Sequence, residues 1–80
     1  MINIVTYRLE WFMGLNAYEI ERLIKLNRLP LTMEPCSDEI NILCYVLVDN
    51  NTNQAWDMHF GNHGIGHFNE PLTLLNPVEE

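Results

Sequence analysis

The clearest periodic pattern in the chain is the stretch LNAYEIERLIKLNRLP, residues 15–30. Isoleucines and leucines recur there at helical spacing and form one apolar face. Asn16 and Glu19 stand three residues apart, which is the spacing of a capping box at a helix N-terminus. The proline at the end of the stretch disfavours the α conformation in the residue before it. The pattern predicts a helix over residues 17–28.

Three other stretches have the composition or the alternation of β-strands. The N-terminal stretch is rich in β-branched and aromatic residues and predicts a strand over residues 2–9. A nine-residue apolar run at 40–48 predicts a strand that is buried on most of both faces. After a polar turn, QAWDMHF alternates and places Trp56 on one side with Met58 and Phe60. We therefore expect a hairpin over residues 40–60.

Prolines shape the two remaining segments. Residues 30–39 contain two prolines and are expected to form a connection. Near the C-terminus, Pro71 and Pro77 bracket three leucines, and a short helical turn and a short edge strand both fit this pattern. The sequence thus predicts a single small α+β domain over residues 1–80. One helix would pack on an antiparallel sheet of about three strands, in the order β-α-β-β.

Composition indicates a folded protein with an uneven charge. Of the 80 residues, 48% are hydrophobic and 19% are charged, which is typical of a globular domain and not of a disordered chain. The net charge is −7, and every lysine and arginine lies before Leu29. Direct binding to nucleic acid depends on cations that neutralise phosphates. We therefore expect no direct contact with nucleic acid.

Several patterns bear on compartment and thiol chemistry. The chain has no apolar run long enough to span a membrane, and its N-terminus lacks the features of a signal peptide, so we expect no membrane contact and a cytoplasmic location. Cys36 and Cys44 are too few for a disulfide scaffold. They are expected to be free thiols, with Cys44 in the core.

Histidines recur at four-residue intervals in HFGNHGIGHF, at His59, His63 and His67. A helix would place all three on one face for a metal ion, but the three glycines of the stretch disfavour a helix. In an extended strand the histidines would lie about 13 Å apart, too far to share one ion. We expect an ordinary loop and no cofactor. Two alternatives stay open, a curled loop that holds a metal ion and a loop whose histidines contact a partner or respond to pH.

Nothing in the chain indicates an enzyme. Asp57 and Glu70 flank the histidine stretch, but a small acidic domain offers such a pair by chance. The stretch GNHGIG has neither the lysine nor the following helix of a phosphate-binding loop. The sequence therefore predicts a non-catalytic protein.

The charge distribution carries the functional hypothesis. Carboxylates fixed on a folded surface can take the place of phosphates on a basic protein surface. We expect a small acidic protein that binds and inhibits a nucleic-acid-binding protein partner. The candidate contacts are six acidic residues and one aromatic residue: Glu34, Asp38, Glu39, Asp49, Asp57, Glu70 and Trp11.

In size and acidity the chain is similar to small phage-encoded inhibitors of nucleic-acid enzymes, including anti-CRISPR proteins, although no motif carries the similarity. Two alternatives belong to other classes. One is a metal-binding protein built on the histidine stretch, and the other is a homodimer or assembly subunit that associates through residues 11–13 or a sheet edge. The acidic residues could also serve solubility alone.

Overall fold

The computed structural model describes residues 6–37, 42–61 and 69–78, with the backbone alone at positions 36, 37, 42 and 43. A short 3-10 helix at Leu9–Trp11 precedes the α-helix α1 (Ala17–Asn27) and four strands: β1 (Leu31–Ser37), β2 (Ile42–Asp49), β3 (Ala55–Phe60) and β4 (Leu72–Pro77). The strands form one antiparallel sheet in the order β1-β2-β3-β4. The α+β class is confirmed, but the described sheet has four strands instead of about three, and α1 precedes them all.

Local interactions define α1 as the sequence predicts. The Asn16 side chain accepts from the Glu19 amide at 2.8 Å, and the Glu19 carboxylate accepts from the Asn16 amide at 3.0 Å. This capping box satisfies two amides that have no partner within the helix. The helix ends when Arg28 adopts the left-handed conformation, with φ of 51°. The predicted bounds of 17–28 are therefore correct to one residue.

The helix covers one face of the sheet and encloses the core. Ile20 and Ile24 of α1 are buried against sheet residues such as Leu47, which lies in the middle of β2. The alternation predicted for β3 is confirmed, because Met58 and Phe60 are buried on this face. The core is largely completed by further apolar residues from the helix layer and the strands: Phe12, Ala17, Leu29, Leu31 and Leu72.

Two segments differ from the sequence predictions. The predicted connection contains β1, which pairs with β2 in spite of Pro35. Proline is tolerated there because β1 is an edge strand, where one side of the backbone needs no partner. The predicted N-terminal strand is wrong over its described part, since residues 6–8 form no strand and Leu9 begins a 3-10 helix. Residues 2–5 lie outside the described part of the chain.

The predicted hairpin is confirmed by β2 and β3, which pair antiparallel around a turn that contains Asn53 with φ of 64°. Residues 40 and 41 lie outside the described residues. Burial of β2 on both faces is wrong, because Val46 and Val48 are only half-buried on the face away from α1. The C-terminal leucines form the edge strand β4, so the open choice between helix and strand is resolved as strand.

Candidate functional site: the open face of the sheet

The sheet has one face covered by α1 and a second face that points away from it, which we call the open face. Side chains alternate between the two faces along each strand. Burial follows this alternation, and the described core residues lie on the covered side. The open face consists of the described strand residues of the other parity: Thr32, Glu34, Cys44, Val46, Val48, Ala55, Asp57, His59, Leu74 and Asn76.

A row of four residues crosses the middle of the open face. Val46 on β2 lies directly opposite Glu34 on β1 and opposite Asp57 on β3, which in turn pairs with Asn76 on β4. Glu34 and Asp57 are exposed, and Val46 is half-buried between them. Two strand spacings separate the two acids, so their Cα atoms lie about 10 Å apart. The register therefore places an apolar side chain between two carboxylates.

Apolar residues surround this row. Val48 is half-buried, Leu74 is 48% exposed, and Val78, whose amide donates to the Ala55 carbonyl at 2.8 Å, is 38% exposed. Exposed apolar residues that lie together are typical of surfaces that bind other macromolecules. Val46 and Val48 are not evident as surface residues from the sequence, because the apolar run 40–48 predicts a strand buried on most of both faces. Their parity opposite to Leu47 was the signal that could have identified them.

The open face carries no cation in the part of the chain that the structure describes. All lysines and arginines precede β1 in the sequence, and three of them, Arg22, Lys25 and Arg28, belong to α1 or its C-cap. Because α1 packs on the covered face, these cations lie in the opposite layer of the molecule. The cations that are confined to the first part of the sequence are thus separated in space from the open face, because α1 lies on the other side of the sheet.

Asp49 is not an exposed contact residue. It lies at the end of β2 on the covered face and is 8% exposed. Its carboxylate accepts from the Tyr7 hydroxyl and from the amides of Asn51 and Thr52, the latter two at 2.8 and 3.1 Å. The hydrogen bond from Tyr7 is the largest cause that lowers the pKa of Asp49. Asp49 therefore has a structural role, and its burial leaves little of the carboxylate accessible to a partner.

The other described candidates, Glu70 and Trp11, do not belong to this row. Glu70 is half-buried, and its side chain lies against Gly61. Asp38 and Glu39 lie outside the described residues. Trp11 is 47% exposed in the 3-10 helix, and the neighbouring Phe12 is buried. Among the predicted contact residues, the structure brings together Glu34 and Asp57.

The histidine stretch is described only at its beginning. His59 lies on the open face, and its Nε2 is 3.3 Å from the side-chain nitrogen of Asn76. His63 and His67 lie outside the described residues. Within the described ranges no group of three or more metal-ligating side chains is found. His59 therefore lies two residues from Asp57 on the same face of β3.

The expectation of free thiols is wrong for Cys44, which is disulfide-bonded. Cys36, the chain's other cysteine, lies directly opposite Cys44 in the register of β1 and β2. Directly opposed residues of antiparallel strands have Cα atoms about 4.5–5.5 Å apart, which is within the range found for disulfides. Cys44 is also half-buried on the open face instead of lying in the core. The pairing is not evident from the sequence, because two prolines make residues 30–39 resemble a connection.

The edge of β1 offers little to an incoming strand. The Asn50 amide donates to the Pro30 carbonyl at 2.8 Å. This hydrogen bond determines which residues of β1 direct their backbone amide and carbonyl groups towards β2. Alternate residues of β1 then direct their backbone groups away from the sheet, among them Met33 and Pro35. Proline has no amide hydrogen, so the ladder of an added strand is interrupted at Pro35.

The edge of β4 is similarly protected. The Val78 amide donates to Ala55, so that Pro77 lies at an outward position and contributes no donor. At the other end of β4, Leu72 donates to the Leu15 carbonyl at 2.7 Å and accepts from the Gly14 amide at 2.9 Å. The described edges therefore disfavour strand addition, and the open face is the larger accessible feature of the sheet.

Compared with family models, curated proteins and solved structures, the chain matches none. In the described part of the chain, no helix has the length and apolar character needed to cross a membrane.

Proposed function

We propose that this protein is a small, non-catalytic binding protein whose open face occupies a basic, nucleic-acid-binding surface of another protein and inhibits it. The observation that carries the proposal is the row in which Glu34 and Asp57 flank Val46 on a face without a described cation. In this role the carboxylates take the place of phosphates, and the apolar residues around them supply contact area.

Exposure of the two carboxylates favours binding over catalysis. General acids and bases act in concave sites that exclude much of the water. Glu34 and Asp57 instead stand exposed on the surface of a sheet. Exposed charges attract a partner from a distance and set its orientation, which raises the association rate. The type of protein that this fits is an acidic inhibitor, such as the phage-encoded and anti-CRISPR-like inhibitors that resemble the chain in size and charge.

A cytoplasmic location remains part of the proposal, and the disulfide of Cys44 weighs against it, because disulfides are rare in reducing compartments. The experiment below is therefore performed under reducing and non-reducing conditions. Retention under one condition alone would indicate the compartment in which the partner is bound.

The test is affinity capture from nuclease-treated lysate with three immobilised forms of the full chain. These are the wild type, the charge-reversed variant Glu34→Lys/Asp57→Lys, and the matched control Glu10→Lys/Glu21→Lys, which reverses two exposed acids, one in the 3-10 helix and one in α1. The captured protein is then purified, and its binding to an oligonucleotide is measured with and without this protein.

We expect one nucleic-acid-binding protein to bind the wild type and the control, to elute at raised salt, and to be lost from the charge-reversed variant. The purified protein should then compete with the oligonucleotide for that partner. Equal retention by all three forms, or simultaneous binding of the oligonucleotide and this protein, would disprove the proposal.

A further inference from the structure

The dimensions of the open face define what can bind there. We propose that the occupant is a basic helix of the partner that lies across the strands. Two cations seven residues apart on this helix would meet Glu34 and Asp57, and an apolar residue between them would meet Val46. This inference rests on the proposed function, because it names the segment of the partner that the open face binds.

The spacing of the acids matches a helix. Glu34 and Asp57 lie on β1 and β3, so two strand spacings, about 10 Å, separate them. Residues i and i+7 of a helix lie about 10.5 Å apart on one face, with residues i+3 and i+4 between them. Three positions of a single helix face therefore match the acid, valine, acid order of the row.

An extended strand does not match the same row. Residues on one face of a strand lie about 6.6 Å apart at i,i+2 and about 13 Å apart at i,i+4, so neither spacing places cations on both acids. Addition of a strand at an edge is also disfavoured, because Pro35 and Pro77 remove outward donors from β1 and β4. A partner segment is therefore expected to bind the open face of the sheet and not its edges.

A second copy of this chain fits the open face poorly. Packing of two open faces would bring carboxylates of the same sign together. The exposed cations of α1 do not have the spacing of seven residues on one helix face. Arg22 and Lys25 lie three residues apart, and Lys25 already pairs with Glu21 at 2.8 Å. Arg28 follows Arg22 by six residues and lies beyond the end of the helix in the left-handed conformation. A foreign helix with the longer spacing meets both acids without breaking an existing ion pair.

The experiment uses two alanine-rich peptides of identical composition, with capped ends and helicity checked by circular dichroism. The matched peptide has arginines at i and i+7 with leucine at i+4. The permuted peptide has arginines at i and i+5, which lie on different sides of the helix. Fluorescence anisotropy gives the affinity of each peptide for the full-length protein.

We expect the matched peptide to bind about tenfold more tightly than the permuted one. Glu34→Gln, Asp57→Asn and Val46→Thr should each weaken the matched peptide about threefold or more, and the control Glu10→Gln should leave its affinity unchanged. These substitutions keep the size of the side chain, and circular dichroism of each variant checks that it is folded.

Equal affinity of both peptides, with loss in Glu34→Gln and Asp57→Asn, would overturn the helix inference and leave the open face as a charge-driven site. Capture of a partner that depends on the two acids, without measurable binding of either peptide, would overturn it in the same way. Failure of both the peptides and the capture experiment would overturn the proposed function as well. Self-association of the protein that is abolished by Asp57→Asn would instead make a second copy the occupant and would also contradict the inference.

Discussion

At the scale of single residues, the pair Tyr7 and Asp49 connects the N-terminal segment to the turn between β2 and β3. The two residues are 42 positions apart, and the Tyr7 hydroxyl donates to a carboxylate that is otherwise held by amides of the turn. Sequence reasoning found the capping box of α1 because its two members are three residues apart. It could not find this pair, because nothing local links a tyrosine to an aspartate so distant.

Tyr7→Phe removes this hydrogen bond and leaves the ring. We expect the free energy of unfolding to fall by about 1.5 kcal/mol, at the lower end of the range for a hydrogen bond to a charged group, because Tyr7 is only half-buried. Urea unfolding measures the change. Tyr18→Phe, which alters a tyrosine that is 69% exposed, is the control and should change the stability little. Equal effects of the two substitutions would contradict the role assigned to Tyr7.

The same pair predicts a dependence on pH. The pKa of Asp49 is lowered from its ordinary value of 3.8, mainly by the Tyr7 hydroxyl, so its contribution to stability is present above pH 3.8 and is lost as the pH falls through the lowered pKa. Burial, followed by the hydrogen bond to Asp49, raises the pKa of Tyr7 from 10.0 to about 12. The contribution of Tyr7 is therefore fully present below pH 10 and is lost towards pH 12.

We therefore expect the stability difference between the wild type and Tyr7→Phe to shrink in two windows, below pH 3.8 and between pH 10 and about 12. Urea unfolding of both proteins at a series of pH values measures it. A difference that stays constant across either window would show that the pair does not titrate as the structure indicates.

Gly61 occupies a position that only glycine fits well. Its φ is +60°, and an added Cβ would lie 1.5 Å from a carboxylate oxygen of Glu70. Gly61→Ala should therefore cost about 1–2 kcal/mol for the backbone and about a further 1 kcal/mol to displace the Glu70 side chain. Thermal or urea unfolding measures the loss.

Gly14→Ala is the matched control, since Gly14 also has a positive φ, of 87°, but an added Cβ would have nothing within 4 Å. Gly14→Ala should therefore lower the free energy of unfolding only by the backbone cost of about 1–2 kcal/mol. Compared with Glu70→Ala alone, the double variant Gly61→Ala/Glu70→Ala should lose most of the contact cost, because of the three close Glu70 atoms only the Cβ, 3.0 Å from the added Cβ, is kept. If Gly61→Ala and Gly14→Ala cost the same, the contact with Glu70 does not constrain this position.

At the scale of elements, structure that depends on neighbouring residues was predictable from the sequence. Structure that depends on pairing between distant strands was not. The helix was predictable from its cap and apolar periodicity, and the β2–β3 hairpin from alternation around a polar turn. The strand β1 was not, because Pro35 makes residues 30–39 resemble a connection, and only pairing with β2 makes them a strand. The error propagated to the site, since Glu34 and Asp57 come onto one face only through this pairing.

Pro35 also predicts how the edge of β1 behaves. Pro35→Thr supplies an outward amide and a residue that favours strands, so we expect association of the protein that increases with concentration. Sedimentation velocity over a range of concentrations measures it. Thr32→Val is the control. The Thr32 amide points towards β2 and is already paired, so this substitution adds no outward donor to the edge. An equally monomeric Pro35→Thr variant would mean that other features protect this edge.

At the scale of the whole molecule, the fold turns a linear charge asymmetry into one between layers. The absence of cations after Arg28 was evident from the sequence, but their separation from the acids in space depends on α1 packing on one side of the sheet. Sequence reasoning named six acidic candidates and could not rank them. Burial removes Asp49 from the candidates, and the register brings Glu34 and Asp57 together.

The separation of charge between the helix layer and the open face has a consequence for motion in solution. Residues 6–28 carry four cations and three acids, whereas the described part of the open face carries two carboxylates and no cation, and this uneven distribution gives the molecule a permanent electric dipole. Near a positively charged surface the field exerts a torque that turns the carboxylate side towards that surface before contact. Tumbling is then biased, and a larger fraction of collisions begins in a productive orientation. Added salt should therefore slow association strongly and change the lifetime of a formed complex much less.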